Sequence, residues 1–309
     1  MTYLTKPKLH HPDLPANALG FTRRDYEGAV STLCAGCGHD SISAAIIQAC
    51  YELDILPHQV AKLSGIGCSS KTPDYFLGAS HGFNTVHGRM PSVLTGANLA
   101  NRELVYLGVS GDGDSASIGF GQFAHCVRRG VNMCYIVENN GVYGLTKGQY
   151  SPTSREGTRS PSTPYGSVDH PAKPCAFALG SGARFIARGI DVNKNLPSVL
   201  KAAHAHKGAA FVEIFQNCIV YNKDVFEDFA QPKGAEDRQL WLEHGEPMLF
   251  AGGTKGITLD RQALRLAVVD VVDGDWQAAD VIVHDVTNRS IAHMLVEMPF
   301  GAFPMALGV

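Results

Sequence analysis

The sequence predicts an α/β fold in which a parallel sheet is covered by helices on both faces. Three short, nearly continuous apolar runs at 104–109, 131–137 and 210–215 are typical of strands buried on both sides, and a weaker run covers 60–63. Helical stretches lie between them, at roughly 118–129, 172–179 and 196–207. This β-α-β alternation indicates a parallel sheet.

The first long helix is predicted to begin at His39. Its apolar residues recur at intervals of three and four, and Asp40 or Ser41 can cap its start, while Pro57 limits its end. The apolar positions are Ile42, Ala45, Ile46, Ala49, Cys50 and Leu53.

Two other stretches differ from this pattern. Residues 151–171 are rich in Pro, Ser and Thr and predict a surface loop. Beyond about Phe226 the chain becomes charged and glycine-rich, with apolar runs at 264–272 and 281–286 and a closing helix expected from Asn288. We therefore predict an amino-terminal arm at 1–30, a main domain at 31–225 and a carboxy-terminal extension at 226–309.

Composition narrows the function classes. The chain has 309 residues and a net charge of −3, and it contains no basic block, so nucleic-acid binding and binding to anionic membranes have no support. Its apolar runs fall far short of the roughly 20 residues that span a bilayer. Because Lys6, Lys8 and His10 precede any apolar stretch, no signal peptide is expected, and we predict a cytoplasmic protein.

Seven of the eight cysteines fall into two groups. Cys50, Cys126 and Cys134 lie at core positions of predicted helices or strands and are expected to pack there. The others of interest are Cys34, Cys37, Cys68 and Cys218, beside glycines or at the ends of apolar runs. The Cys34-Ala35-Gly36-Cys37 segment fits a redox pair, a zinc knuckle or half of an iron–sulfur site. One pair plus two single cysteines is a layout that a [4Fe–4S] cluster accepts.

Chemically distinctive residues follow four of the predicted strands. Cys68, Asp112, Asn140 and Cys218 each come just after a strand, and the carboxyl ends of parallel strands meet at one edge. The glycines of Gly111-Asp112-Gly113-Asp114 allow a close approach to a diphosphate. Asp112 would repel that diphosphate unless a divalent cation lies between them, and a carboxylate, an amide oxygen and a backbone carbonyl suit Mg²⁺.

These motifs have three other interpretations. Gly111, Gly113 and Ala116 fit a dinucleotide fingerprint with Glu138 as its acidic residue, but the Asp112 carboxylate opposes that interpretation. An EF-hand loop fails because Ala116 and Phe123 occupy ligand positions. An ordinary Asn-Gly turn at Asn140 stays open.

The motif GDG, followed by NN 28 residues after Asp112, resembles the signature of thiamine-diphosphate enzymes. This resemblance implies that Asp112, the side chain of Asn140 and the backbone carbonyl of Val142 hold Mg²⁺. Together with the cysteines, the chain resembles the β subunit of 2-oxoacid:ferredoxin oxidoreductases. The resemblance runs from Cys34 to Cys218 through CAGCGH, SGIGCSSKT, HGR, GDGD and NNGVYGLTKGQYSPT.

The family resemblance implies cofactors and their ligands. One [4Fe–4S] cluster would be bound by Cys34, Cys37, Cys68 and Cys218. The cradle of thiamine diphosphate would comprise Ile66, Gly67, Cys68, Ser69, Gly113, Asp114, Gly144 and Leu145, with His87 nearby. A loop histidine bonded to backbone is the alternative for His87, and His204 and His206 are expected to be solvated.

The resemblance also implies a reaction and partners. A 2-oxoacid would be decarboxylated on the thiazolium carbon, electrons would pass singly to the cluster and on to external ferredoxin, and coenzyme A would take the acyl group. Lys71 and Lys147 could stabilise a second carboxylate, which favours 2-oxoglutarate over pyruvate. Only one of the two halves of a thiamine enzyme is visible, so we expect an α chain in an αβ or α₂β₂ assembly. A non-redox thiamine-dependent lyase with structural zinc and a non-catalytic metal-binding assembly module remain alternatives.

Overall fold

The computed structural model describes residues 11–231, 234–235 and 237–309. Its strands are β1 (Val60–Ser64), β2 (His81–Asn84), β3 (Val105–Gly111), β4 (Met133–Asn139), β5 (Val142–Tyr143), β6 (Gln149–Tyr150), β7 (Phe185–Ile190), β8 (Ala209–Phe215), β9 (Gln239–Leu242), β10 (Leu249–Phe250), β11 (Lys255–Asp260), β12 (Arg265–Asp270) and β13 (Met305–Gly308). Its α-helices are α1 (Gly38–Glu52), α2 (Met90–Ala100), α3 (Phe120–Arg129), α4 (Pro174–Gly180), α5 (Leu196–Ala205), α6 (Glu227–Ala230) and α7 (Arg289–Glu297).

The main sheet contains eight of these strands in the order β2-β1-β3-β4-β8-β7-β13-β9. The strands from β2 to β7 pair in parallel, whereas β13 runs antiparallel to β7. The four apolar runs predicted as strands correspond to β1, β3, β4 and β8, and the predicted α/β fold is confirmed. The connections from β1 to β2 and from β3 to β4 leave in opposite directions, and ligands of such sheets bind near a reversal of this kind.

Two hydrophobic layers enclose the sheet. On one face α1 and α5 pack through Ile42 and Val199, and on the other α2 and α3 pack through Leu94 and Phe123. Neighbouring residues of β4 point to opposite layers, as strand geometry requires. Cys50, Cys126 and Cys134 are buried in these layers, as predicted.

The carboxy-terminal part of the chain contributes to the main sheet. β9 and β13 extend it beyond β7, while β10, β11 and β12 form a separate antiparallel sheet. The helix expected from Asn288 is α7, and the Asn288 side chain caps it by accepting the Ile291 N–H at 3.1 Å. The apolar run at 264–272 contains β12, but the run at 281–286 forms no named strand and makes one isolated bridge at Val283. The predicted extension is thus integrated into the sheet rather than only packed against it.

Some sequence predictions concern residues without structural description. Residues 1–10, on which the expected absence of a signal peptide rests, lie outside the described residues, as does the first part of the predicted arm. The boundaries at 30/31 and 225/226 stay predictions. Within the described residues, no helix is both long and apolar enough to cross a membrane.

Candidate active site

A cavity of about 350 Å³ opens at the carboxyl ends of β1, β3 and β4. It gathers every residue predicted for the diphosphate cradle and the magnesium site: Ile66, Gly67, Cys68, Ser69, His87, Asp112, Gly113, Asp114, Asn140, Val142, Gly144 and Leu145. The remaining predicted site residues do not line this cavity; they are Cys34, Cys37, Cys218, Lys71 and Lys147.

Strand register brings Asp112 and Asn140 together. Gly111 on β3 pairs with Glu138 on β4, so the two residues fall just beyond neighbouring strand ends. Asp112 is buried, which raises the pKa of its carboxyl, although hydrogen bonds from Ser151 and Thr153 oppose this. Carboxylate and amide oxygens therefore converge in a buried location.

The loop that carries Asn140 is held in a fixed turn. The Asn140 Oδ1 atom accepts the Val142 N–H at 3.1 Å. Gly141 adopts a φ of 62°, which favours glycine, and Asn222 donates to the carbonyl oxygens of both Asn140 and Gly141 at 2.9 and 3.0 Å. These bonds fix the backbone that presents the Val142 carbonyl.

Asp114 organises two loops around the cavity. Its Oδ1 atom accepts the N–H groups of Gly88 at 2.7 Å and Ile66 at 3.3 Å, and its Oδ2 atom accepts the Ser110 hydroxyl at 2.6 Å. A Cβ on Gly65 would lie only 1.7 Å from Asp114 Oδ2, so a side chain at position 65 would displace the carboxylate. The Asp114 side chain is thus engaged with protein groups, and its role in the cavity is to hold these loops.

At Gly113 and Gly88, close packing leaves no room for a side chain. A Cβ on Gly113 would lie 2.2 Å from the Tyr143 ring, whose hydroxyl donates to the Gly113 carbonyl. Gly88 has a φ of 68°, and its Cβ would collide with the Gly119 backbone. The neighbouring His87 is exposed and lines the cavity, and neither the predicted cofactor contact nor its backbone-bonded alternative is tested by this geometry.

The prediction of a purely surface loop at 151–171 is wrong for its first residues. Ser151 and Ser154 are buried, and the hydroxyls of Ser151 and Thr153 donate to Asp112 Oδ2 at 2.5 and 2.6 Å. Ser154 donates to the Gly141 carbonyl at 2.6 Å. The polar composition reflects hydrogen bonds to Asp112 and Gly141 rather than solvation, and the QYSPT segment, which follows the loop predicted to bind magnesium, is the sequence signal for it.

The four predicted ligand cysteines are brought close to one another. A Cβ on Gly144 would lie 3.4 Å from Cys68 Sγ and 3.6 Å from Cys218 Sγ. Burial chiefly raises the pKa of Cys37 to about 12, and the neighbouring Cys218, Cys68 and Cys34 raise it further. Burial chiefly raises the pKa of Cys68 to about 11, and the neighbouring Cys218 and Cys34 contribute to the rise. Within the described ranges, no three Cys, His, Asp or Glu side chains are grouped closely enough to hold a single metal ion.

A buried His39–Glu138 pair also lines the cavity and was not predicted as part of the site. The His39 Nδ1 and Glu138 Oε2 atoms are 2.6 Å apart, and neither side chain is exposed. Burial raises the pKa of Glu138, and His39 is the strongest opposing influence. His39 ends the CAGCGH motif and Glu138 directly precedes the Asn-Asn pair, which are the sequence signals that could have marked them.

The two predicted substrate lysines lie outside the cavity lining. Lys71 Nζ donates to the Thr32 carbonyl at 3.1 Å. Lys147 is exposed and has a φ of 77°, a conformation that is costly for a residue with a side chain. Its neighbour Thr146 lines the cavity. Contact of either lysine with substrate stays a prediction.

Comparison with known proteins identifies the domain that forms this cavity. Residues 65–214 match the family described as thiamine pyrophosphate enzyme, C-terminal TPP binding domain. The matched interval includes the cavity-forming loops after β1, β3 and β4.

Individual relatives support this family assignment. The chain is 42% identical over 254 residues to the 2-oxoglutarate oxidoreductase subunit KorB of Mycobacterium tuberculosis, an alignment covering 82% of this chain and 66% of that protein. It is 43% identical over 190 residues to the 2-oxoacid:ferredoxin oxidoreductase subunit beta of Saccharolobus solfataricus, an alignment covering 61% of this chain and 62% of that protein. Both alignments thus span just under two thirds of the relative's length. The 2-oxoglutarate synthase subunit KorB of Methanocaldococcus jannaschii is 35% identical over 205 residues, and this alignment covers 66% of this chain and 74% of that protein.

A solved structure shares the fold across nearly the whole chain. The 2-oxoglutarate:ferredoxin oxidoreductase from Magnetococcus marinus, with 2-oxoglutarate, coenzyme A and succinyl-CoA bound, superposes with a TM-score of 0.74 at 31% identity. The match covers 96% of this chain and 87% of that one. The match to the TPP-binding domain and the similarity to these relatives show that the chain belongs to the family of 2-oxoacid:ferredoxin oxidoreductase β subunits.

Proposed function

We propose that this chain is the β subunit of a CoA-dependent 2-oxoglutarate:ferredoxin oxidoreductase. The complex would convert 2-oxoglutarate and coenzyme A to succinyl-CoA and CO₂ and pass two electrons, one at a time, to ferredoxin, or run the reverse carboxylation. The observation that carries this proposal is the cavity that gathers the predicted diphosphate-cradle residues, the Asp112–Asn140 pair and the predicted cluster ligand Cys68.

The cavity residues fit thiamine diphosphate with Mg²⁺. Asp112, the Asn140 amide and the Val142 carbonyl offer hard oxygen donors, which Mg²⁺ prefers. The Asp112 carboxylate, which already accepts two hydroxyls through Oδ2, would bind the metal. When bound, the thiazolium ring supplies an electron sink for the loss of CO₂. The loops at 66–69, 113–114 and 144–145, with His87, would surround the diphosphate, and Asp114 would act by holding them.

The cysteines fit a [4Fe–4S] cluster better than a zinc ion. Four thiols from Cys34, Cys37, Cys68 and Cys218 influence one another, while the described residues contain no group of three Cys, His, Asp or Glu side chains that could hold a single metal ion. In a cluster each thiolate binds a different iron, so wider spacing is required. We propose one cluster, bound by these four residues, as the relay to external ferredoxin.

Lys147 and Lys71 are our candidates for recognition of the distal carboxylate of 2-oxoglutarate. Lys147 belongs to the same short loop as the cavity residues Gly144, Leu145 and Thr146. A lysine ammonium there would favour a dicarboxylic substrate over pyruvate. Coenzyme A is the acceptor of the acyl group.

The cavity is bordered by apolar surface that suits an α subunit. Ile118 and Leu145 line the cavity and are 44% and 51% exposed, and the nearby Phe83 and Val86 are 60% and 70% exposed. Exposed apolar groups around a site are typical of a surface that a partner covers. We propose that an α chain completes the active site in an αβ or α₂β₂ complex.

An anaerobic preparation of the chain with its partner subunit, assayed for CoA-dependent dye reduction across a panel of 2-oxoacids, tests this function. We expect brown protein with one cluster per β chain and the highest kcat/KM for 2-oxoglutarate. A preference for pyruvate would overturn the substrate assignment. Colourless protein with stoichiometric zinc would overturn the redox role, and lack of bound or bindable thiamine diphosphate would overturn the enzyme assignment.

A further inference from the structure

A chain of hydrogen bonds leads from the far side of the sheet to the proposed magnesium site. Arg188 Nε on β7 donates to Glu213 Oε2 on β8 at 3.0 Å, and Asn139 Nδ2 on β4 donates to Glu213 Oε1 at 2.9 Å. Asn139 Oδ1 accepts the Gly141 N–H at 3.1 Å, and Gly141 directly precedes Val142, whose carbonyl is assigned to the metal. The chain thus crosses three adjacent strands and ends on the turn that presents Val142.

The charge on Glu213 determines how the Asn139 amide is oriented. A carboxylate only accepts hydrogen bonds, so the NH₂ group of Asn139 must face Glu213. The Asn139 Oδ1 atom then faces the other way, where it accepts the Gly141 N–H at 3.1 Å and contacts Thr153. A reversed amide would place NH₂ against the Gly141 N–H and Oδ1 against the Glu213 carboxylate, so the bonds to Gly141 and Glu213 would both be lost.

Glu213 is itself arranged for this contact. Its side chain is 2% exposed, and a buried carboxylate requires a compensating charge. Arg188 Nε and the Cys175 thiol both donate to Oε2, the latter at 3.4 Å. The remaining oxygen, Oε1, is directed to Asn139.

We propose that Glu213, held by Arg188, is a positioning residue for the divalent cation of the thiamine diphosphate site. Through the Asn139 amide it fixes the Gly141 turn, which presents Val142. Partners of metal ligands commonly contribute a factor of 10–100 to metal affinity. This inference rests on the proposed function and adds a residue, 213, that lies outside the cavity lining.

The test uses Mn²⁺, which suits the same oxygen ligands as Mg²⁺, with the full chain and its partner subunit prepared anaerobically. Mn²⁺ affinity in saturating thiamine diphosphate and the EPR line shape of bound Mn²⁺ are measured for the parent and for Glu213→Gln. We expect about tenfold weaker binding and an altered line shape. Tyr106→Phe is the control, because its buried hydroxyl donates to the Ala97 and Asn101 carbonyls near the opposite end of β3.

A second pair of variants keeps Glu213 intact. Asn139→Leu removes the amide that links Glu213 to the Gly141 N–H and should weaken Mn²⁺ binding comparably, whereas Thr153→Ser, which keeps a hydroxyl beside Asp112, should retain parental affinity. If the parent binds no Mn²⁺ with thiamine diphosphate, the proposed function fails. If the parent binds and either Glu213→Gln or Asn139→Leu matches its affinity and line shape, the positioning role is overturned and the Arg188–Glu213 pair serves stability alone.

Discussion

The carboxylate of Asp114 accepts the backbone N–H of Gly88 at 2.7 Å and thereby joins the loop after β2 to the turn after β3. The same side chain bonds Ile66, so one buried carboxylate connects three segments around the cavity. The shape of the cavity consequently depends on a residue whose polar atoms are all used within the protein.

Replacing Asp114 with alanine should disturb both stability and cofactor binding. Each buried donor left without an acceptor costs about 1–3 kcal/mol of unfolding free energy, and the loops at Ile66 and Gly88 lose their common anchor. Urea unfolding and titration with thiamine diphosphate measure the two effects. Ser110→Ala, which removes only the hydroxyl bound to Oδ2, should cost about 1 kcal/mol and leave cofactor affinity near that of the parent. Parental cofactor affinity in Asp114→Ala would contradict the anchoring role.

The buried His39–Glu138 pair predicts a non-additive mutant cycle. His39→Ala leaves the Glu138 carboxylate buried without its nearest partner, a loss of about 3–5 kcal/mol of unfolding free energy. Glu138→Gln should lessen that penalty in the double variant, because no buried charge then lacks a partner. Chemical unfolding of the parent, both single variants and the double variant checks this, and additive effects would show that the two side chains are not coupled.

Buried thiols predict a fall in stability at alkaline pH. Burial raises the pKa of Cys50 and of Cys134 from the ordinary 9.0 to about 12. Below pH 9 both folded and unfolded chains keep these protons, whereas between pH 9 and 12 only the unfolded chain releases them. Each thiol should therefore lower the unfolding free energy by about 1.4 kcal/mol per pH unit above 9. Stability measured against pH for Cys50→Ala and Cys134→Ala should show shallower slopes, and slopes equal to the parent's would refute this account.

The loop position of Lys147 predicts a selective effect on substrate binding. Lys147→Met removes the ammonium group proposed to face the distal carboxylate, so KM should rise much more for 2-oxoglutarate than for pyruvate. Steady-state kinetics of the complex with both substrates measures the ratio. Lys173→Met, at an exposed ion pair with Glu297, controls for loss of a surface charge. Equal changes in KM for both 2-oxoacids would rule out the assigned contact.

The parts of the fold that could be predicted are those with a strong local pattern. β3, β4 and β8 are continuous apolar runs because both of their faces are covered, and α1 shows its buried face as a repeat of apolar residues. β2 was missed because it is an exposed edge strand of sequence HGFN. β9 and β13 were missed because they acquire their place in the sheet only by pairing with distant segments.

The site could be predicted where residue type and spacing alone suggest chemistry. Asp112 and Asn140 follow neighbouring strands, so their proximity is a consequence of parallel pairing. The partners of Asp112 and Asn139 could not be found in this way. Thr153 lies in a segment whose composition is typical of solvent-exposed loops, and Glu213 is one polar residue within an otherwise apolar strand. Their roles come from contacts between segments that are far apart in sequence.

The antiparallel contact between β13 and β7 constrains how the protein is made. β7 is translated well before β13, so one edge of the sheet keeps unpaired backbone groups until the segment ending at Gly308 has left the ribosome. Removing residues 305–308 would leave that edge open permanently, which exposes the nascent product to mispairing and aggregation.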